Sequence, residues 1–172
     1  VIEAAGLRFT AHDTPGHARH HFAYQLEDVA FVGDLAGVRR PESRYVRVPT
    51  PPPEFDMPVW LASVARMRAA NFRRLYLTHF GPIDGPEVAP HWDTITALIP
   101  QYAALVQAGL AAGVDREALM AQLAAWEATR FAAAGLPPEQ WQIYDGLGPN
   151  AMAIDGLIRY WQKQAQPPRP AA

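Results

Sequence analysis

Apolar and polar positions alternate along the first part of the chain. Leu7, Phe9 and Ala11 point one way and Arg8, Thr10 and His12 the other, so Gly6 to His12 predicts a strand with one wet face. Asp13-Thr14-Pro15-Gly16 interrupts it, because Pro fixes φ and Gly permits positive φ. Alternation resumes from His21 to Leu26, with Phe22, Tyr24 and Leu26 on one face, and Glu27-Asp28 forms a tight turn. Val29-Ala30-Phe31-Val32 is wholly apolar, as expected of a buried strand. It ends at Gly33-Asp34, which puts a carboxylate at the C-terminal edge of a strand, where layered folds place their chemistry.

The period then disappears. Residues 35–55 are rich in Arg and Pro, and Pro49 with Pro51-Pro52-Pro53 excludes a helix or central strand. An extended, surface-lying connection is expected. A helical period starts at Asp56, a capping residue, with Pro58 in the first turn and Trp60, Leu61, Val64, Met67 and Arg68 following. The apolar stripe reads as a packing surface. Arg74 to Thr78 predicts another strand, ending at His79-Phe80-Gly81-Pro82.

From Pro86 the pattern is helical throughout. One helix is expected over Pro90 to Ala112, with Gly113 as its stop, and a second from the Asp115 cap to about Ala134, ended by Gly135. A shorter one opens at Pro137-Pro138, carries Trp141 and Tyr144, and breaks at Gly146-Leu147-Gly148-Pro149. Asn150 caps the last, through Ile154, Leu157, Ile158 and Trp161. The chain therefore divides into an α/β part, residues 1–85, a helical part, 86–166, and a Pro-rich tail, 167–172, expected to fray.

Composition narrows the chemistry. A net charge of −2 and a pI near 6.3 leave no electrostatic footprint for nucleic acid, and Arg39-Arg40 and Arg73-Arg74 read as solvated pairs. The absence of cysteine excludes disulfides, thiolate nucleophiles and Cys-based zinc sites, so any metal must be held by nitrogen and oxygen. No apolar run approaches the roughly 20 residues of a bilayer span. The first residues, Val1 to Gly6, lack the basic and apolar regions of a signal peptide, so no membrane contact and a cytoplasmic location are expected. Without an initiator Met, the sequence reads as the middle of a longer chain.

Four of the six histidines, His12, His17, His20 and His21, fall within ten positions of each other. His17 follows a rigid Thr-Pro-Gly turn, Asp34 sits at a strand edge, and His79 ends another strand. Imidazole and carboxylate together suit Zn, Fe or Mn. His20 and His21 point to opposite faces if the strand has begun, so only one of them faces such a site. His91 is expected to be exposed. Tyr144 and Tyr160 are candidates to roof the site, though nothing in the sequence locates them.

Thr14-Pro15-Gly16-His17, then Gly33-Asp34, then Leu77-Thr78-His79-Phe80-Gly81 resemble the last three metal-ligand motifs of the metallo-β-lactamase-fold hydrolases, the superfamily of glyoxalase II. The resemblance covers about residues 6–82. It implies the C-terminal half of an αββα sandwich followed by a helical extension. It further implies two divalent ions, zinc or else Fe or Mn: His17 completes the first metal site, His79 the second, and Asp34 bridges the two as a catalytic carboxylate. The implied activity is hydrolysis of a small ester, thioester, lactone or similar substrate by metal-activated water. A non-haem iron dioxygenase on the same scaffold and a degenerate, non-enzymatic interaction module are the alternatives.

The family's His-x-His-x-Asp-His motif is missing, so an N-terminal half removed from the same precursor or carried by another chain is the expected partner, with homo-oligomerisation also open. A half sandwich is expected to bare one apolar sheet face.

Overall fold

A computed structural model describes residues 1–147 and 150–166; the Gly148-Pro149 break and the 167–172 tail lie outside the described residues. Six strands form one sheet in sequence order: β1 (Ile2–Ala4), β2 (Leu7–Asp13), β3 (Phe22–Leu26), β4 (Val29–Gly33), β5 (Arg74–Leu77) and β6 (Gly81–Asp84). All neighbours are antiparallel except β4 and β5, which are parallel and joined through helix α1 (Met57–Ala69). A parallel pair needs such a crossover.

Two of these strands differ from the sequence expectation. Ile2–Ala4 is too short to show a period and exists by pairing Ile2 with Phe9. Gly81–Asp84 includes Pro82, which is tolerated because β6 is an edge strand.

The helices follow their caps. The Asp56 carboxylate accepts from the Val59 amide at the start of α1, and Asp115 accepts from Ala118 at the start of α3 (Arg116–Ala133). Between them α2 (Val88–Ala111) is the central helix, and α4 (Trp141–Leu147) and α5 (Asn150–Gln164) complete the helical part. By length and apolar composition α2 with its preceding turn would pass as a membrane-crossing segment, which corrects the expectation that no stretch comes close. Its apolar stripe, Trp92, Ile95, Ile99, Tyr102 and Val106, is buried in the protein's core. That core runs without a break from Ala23 and Leu75 in the sheet to Ile154 and Leu157 on α5.

The two sheet faces have opposite fates. Ala23, Ala30, Val32, Leu75 and Ile83 lie under the helices and are buried. The register Ile2–Phe9, Tyr24–Phe31 and Phe31–Tyr76 gathers five large side chains on the other face. There Ile2, Tyr24 and Phe31 remain about two-fifths exposed. The reading of Val29–Val32 as a fully buried strand therefore fails at Phe31, because among the described residues no second layer covers that face. The bare apolar face expected of a half sandwich is present.

Residues 35–55 also depart from expectation. They are not a surface loop: Leu35, Ala36, Val38, Tyr45, Val46, Val48 and Phe55 are buried. The segment folds back on itself through the Val38–Arg47 bridge and wedges between sheet and helices. Arg39 is not solvated either; it is tucked against Glu87 at 2.9 Å, beside Arg44 on the same carboxylate. His91 is buried, contrary to the exposed reading, because α2 turns that side toward residues 34–36, where its ring donates to the Ala36 carbonyl at 2.8 Å.

Candidate functional site

The turn between β2 and β3 is held from three sides. Thr14 is buried and its amide donates to the His21 carbonyl, closing the loop at 2.9 Å. The Ser63 hydroxyl donates to Pro15 O and the Asp56 amide to Gly16 O, each at 2.8 Å, pinning the loop on the start of α1. Gly16 has φ +131°, and a Cβ there would stand 2.2 Å from the Trp60 Cα. Only glycine permits that approach. The result is a fixed His17: its ring lies edge-on to Trp60 at 5.5 Å, and its Nδ1–H donates to the Pro49 carbonyl at 3.0 Å. That bond sets the tautomer and leaves the Nε2 lone pair free to bind.

Asp34 begins a short 3-10 turn directly after β4, and the Trp60 indole N–H anchors that turn by donating to Leu35 O at 2.8 Å. Trp60 thus positions both His17 and the Asp34 turn, a role hidden behind its place in a packing stripe. His79 sits in the β5–β6 turn, followed by Phe80 at φ +75°, a left-handed conformation held by packing near the Tyr144 ring.

The three candidate residues converge. Asp34 Oδ2 is 3.6 Å from His17 Nε2, and Asp34 Oδ1 is 3.6 Å from His79 Nε2. Neither separation is a hydrogen bond. Oδ1 is buried and unpartnered, a costly state for a carboxylate oxygen. Donors about 2.1 Å from a tetrahedral cation stand about 3.4 Å apart, close to the spacing found. The donor set therefore fits a metal held by nitrogen and oxygen, with His17, Asp34 and His79 as the residues that would hold it. It is incomplete: among the described residues no three His, Asp or Glu side chains close on one point as a metal site.

The remaining histidines sort by position. His21 faces inward, with its Nε2 packed over Gly33, its ring 5.9 Å from His17, and its Nδ1 sharing a 2.8 Å hydrogen bond with the Thr14 hydroxyl. Burial, then the neighbouring His17, pushes its pKa down. His20 points outward to Glu54, and His12 pairs with Gln25. A cavity of about 190 Å³ opens from His17, Asp34 and His79 toward Tyr144, Leu147 and Met152. Tyr144 is thus at the site, whereas Tyr160 is packed against Phe55 away from it.

The sequence profile of the metallo-beta-lactamase superfamily matches residues 2–79, the segment that carries all three residues. Residues 2–79 of this chain are thus similar to the metallo-beta-lactamase superfamily. One member, the metallo-beta-lactamase fold-containing protein ST1585 of Sulfurisphaera tokodaii, is 38% identical over 90 residues, 52% of this chain and 33% of that protein. The metallo-beta-lactamase family protein TTHA1429 of Thermus thermophilus superposes with a TM-score of 0.56 at 23% identity, over 95% of this chain and 46% of that one. A double mutant of the sec-alkyl sulfatase PisA1 gives 0.55 at 14% identity, over 96% and 26%. The last two show a shared metallo-beta-lactamase fold, here its C-terminal half and helical extension. The chain spans about a third of the length of its curated relative.

Proposed function

We propose that this chain supplies half of a dinuclear metal centre for hydrolysis of a small ester, thioester or lactone. The observation that carries the reading is the Asp34 carboxylate, flanked at 3.6 Å on each oxygen by a different imidazole. Two zinc ions, or Fe or Mn in their place, would be held by His17, Asp34 and His79 together with ligands from an N-terminal half of the fold. When bound, the metal pair supplies a nucleophile from water near neutral pH and polarises the group attacked. The chain's own residues do the positioning. Pro49 O fixes the His17 tautomer, Trp60 holds His17 and the Asp34 turn, and the cavity beside them admits substrate while restricting water. Asp34, standing between the two imidazoles, would be the residue common to both ions.

Calorimetric titration with Zn²⁺ of this chain assembled with an N-terminal half of the fold tests this. Two binding events are expected; His17→Ala and His79→Ala each remove one, and Asp34→Ala removes both. Absence of binding, or binding indifferent to these substitutions, refutes the assignment.

A further inference from the structure

The cavity beside Asp34 is polar at one end only. Away from the His17–Asp34–His79 edge, its walls are Val38, Val48, Pro51, Leu147, Met152 and Ala153. Three polar side chains also line it, and each already has a partner: the Tyr144 hydroxyl accepts from the Arg40 amide at 3.1 Å. The Thr50 hydroxyl donates to Ala153 O at 3.0 Å. The buried Arg47 guanidinium donates to Tyr144 O at 2.8 Å and to the Asn150 side chain. It also lies 5.3 Å over the Trp141 ring and 3.8 Å from Asp145. Among the described residues lining the cavity, Arg47 is the one permanent cation, and it is turned into the fold rather than offered to a ligand.

A substrate carboxylate, phosphate or sulfate entering this end would lose its water and find no free donor, a prohibitive exchange. An apolar group would lose nothing and fill the space. Cavities of about 150 Å³ with apolar walls take up benzene, so about 190 Å³ suits a group of about six carbons.

We propose that this cavity selects substrates whose non-reacting group is uncharged, apolar and about six carbons long, with Met152 at its mouth as the specificity-determining side chain. This rests on reading His17, Asp34 and His79 as the reacting end. The substrate class is then a medium-chain or aromatic acyl ester or thioester. Met152 is nearly half exposed, so it can be changed without disturbing the core.

The test uses the protein with its methionine methyl groups labelled for NMR, titrated with hexanamide, acetamide and the monoamide of adipic acid. Hexanamide is expected to shift the Met152 methyl resonance and to bind at least about tenfold more tightly than acetamide, since each buried methylene is worth about fourfold. It should exceed the adipic monoamide, equally long but ending in a carboxylate, by a similar factor. Met152→Lys should reverse that second preference while leaving the unfolding midpoint unchanged. Equal binding of hexanamide and the adipic monoamide, indifference to chain length, or no shift up to the solubility of hexanamide each overturns the proposal. Zn²⁺ titration of the same samples assembled with an N-terminal half of the fold separates the two readings: hexanamide preference without zinc binding refutes only the metal assignment, and zinc binding without preference refutes only the cavity assignment.

Discussion

At the scale of single residues, the site depends on positions that carry no chemistry of their own. Gly16 brings the loop backbone against α1 closely enough for Trp60 to brace His17, and Gly33 leaves room for the His21 ring, which a Cβ would meet at 2.5 Å. Gly16→Ala should therefore cost more than a generic loop substitution. A methyl group cannot sit 2.2 Å from a helix backbone, so the loop must lift off α1. The expected loss is on the order of 2–3 kcal/mol in chemical denaturation, with weakened binding at the His17 half of the site. Unchanged stability would show that the turn tolerates the displacement. His17, Asp34 and His79 were legible in the sequence because each stands at a turn or strand end. The choice of His21 over His20 was not, because it depends on the path of the chain between Gly16 and Phe22, where no period operates.

At the scale of elements, the sequence was most informative where local chemistry acts alone. Both helix caps read from aspartates, Asp56 and Asp115, make the expected bonds. It was least informative where burial is conferred by distant partners. The segment 35–55 has no period, yet it is buried because α2, α3 and α5 close over it: the Val48 amide donates to the Tyr102 hydroxyl at 3.3 Å, and Tyr45 donates to the buried Glu127. His91 is the same case. Burial pushes its pKa down to about 4, outweighing the bond to Ala36 O, with Arg39 adding to the fall and Glu87 opposing it. The folded state therefore holds a neutral ring while the unfolded chain binds a proton below about 6.5. Stability contributed by the neutral ring is complete above that value, falls as pH drops through the window from about 6.5 to about 4, and levels off below it. The loss amounts to about 3 kcal/mol. Denaturation of the parent and of His91→Gln, which keeps a donor for Ala36 but cannot titrate, should diverge across that window; parallel pH profiles would rule out His91 as the source.

At the scale of the whole molecule, helices cover one face of the sheet and, among the described residues, nothing covers the other. Phe31 stacks on Tyr76 at 5.1 Å, Phe9 leans on Phe31 at 6.3 Å, and Ile2 and Tyr24 extend the patch. Alternation in β2 and β3 and the all-apolar β4 made this face legible in the amino-acid pattern, since a one-layer sheet needs only one apolar side. Sequence could not tell whether Phe31 or Val32 would meet the helices; the β4–β5 register and the crossover through α1 settle that. Surfaces of this kind mark a place where another layer belongs, and the N-terminal half of the fold is the layer we propose for it. The chain by itself should bind the dye ANS strongly while retaining cooperative unfolding, which distinguishes a built apolar face from loosened packing. Phe31→Glu with Tyr24→Glu should remove most of that fluorescence and leave the unfolding midpoint within a few degrees, because both side chains are already about 40% exposed and their loss opens no cavity in the helical core. Dye binding that survives the double substitution would locate the exposed apolar surface elsewhere, and a collapse of the midpoint would mean that the aromatic stack holds the sheet together rather than waiting for a second layer.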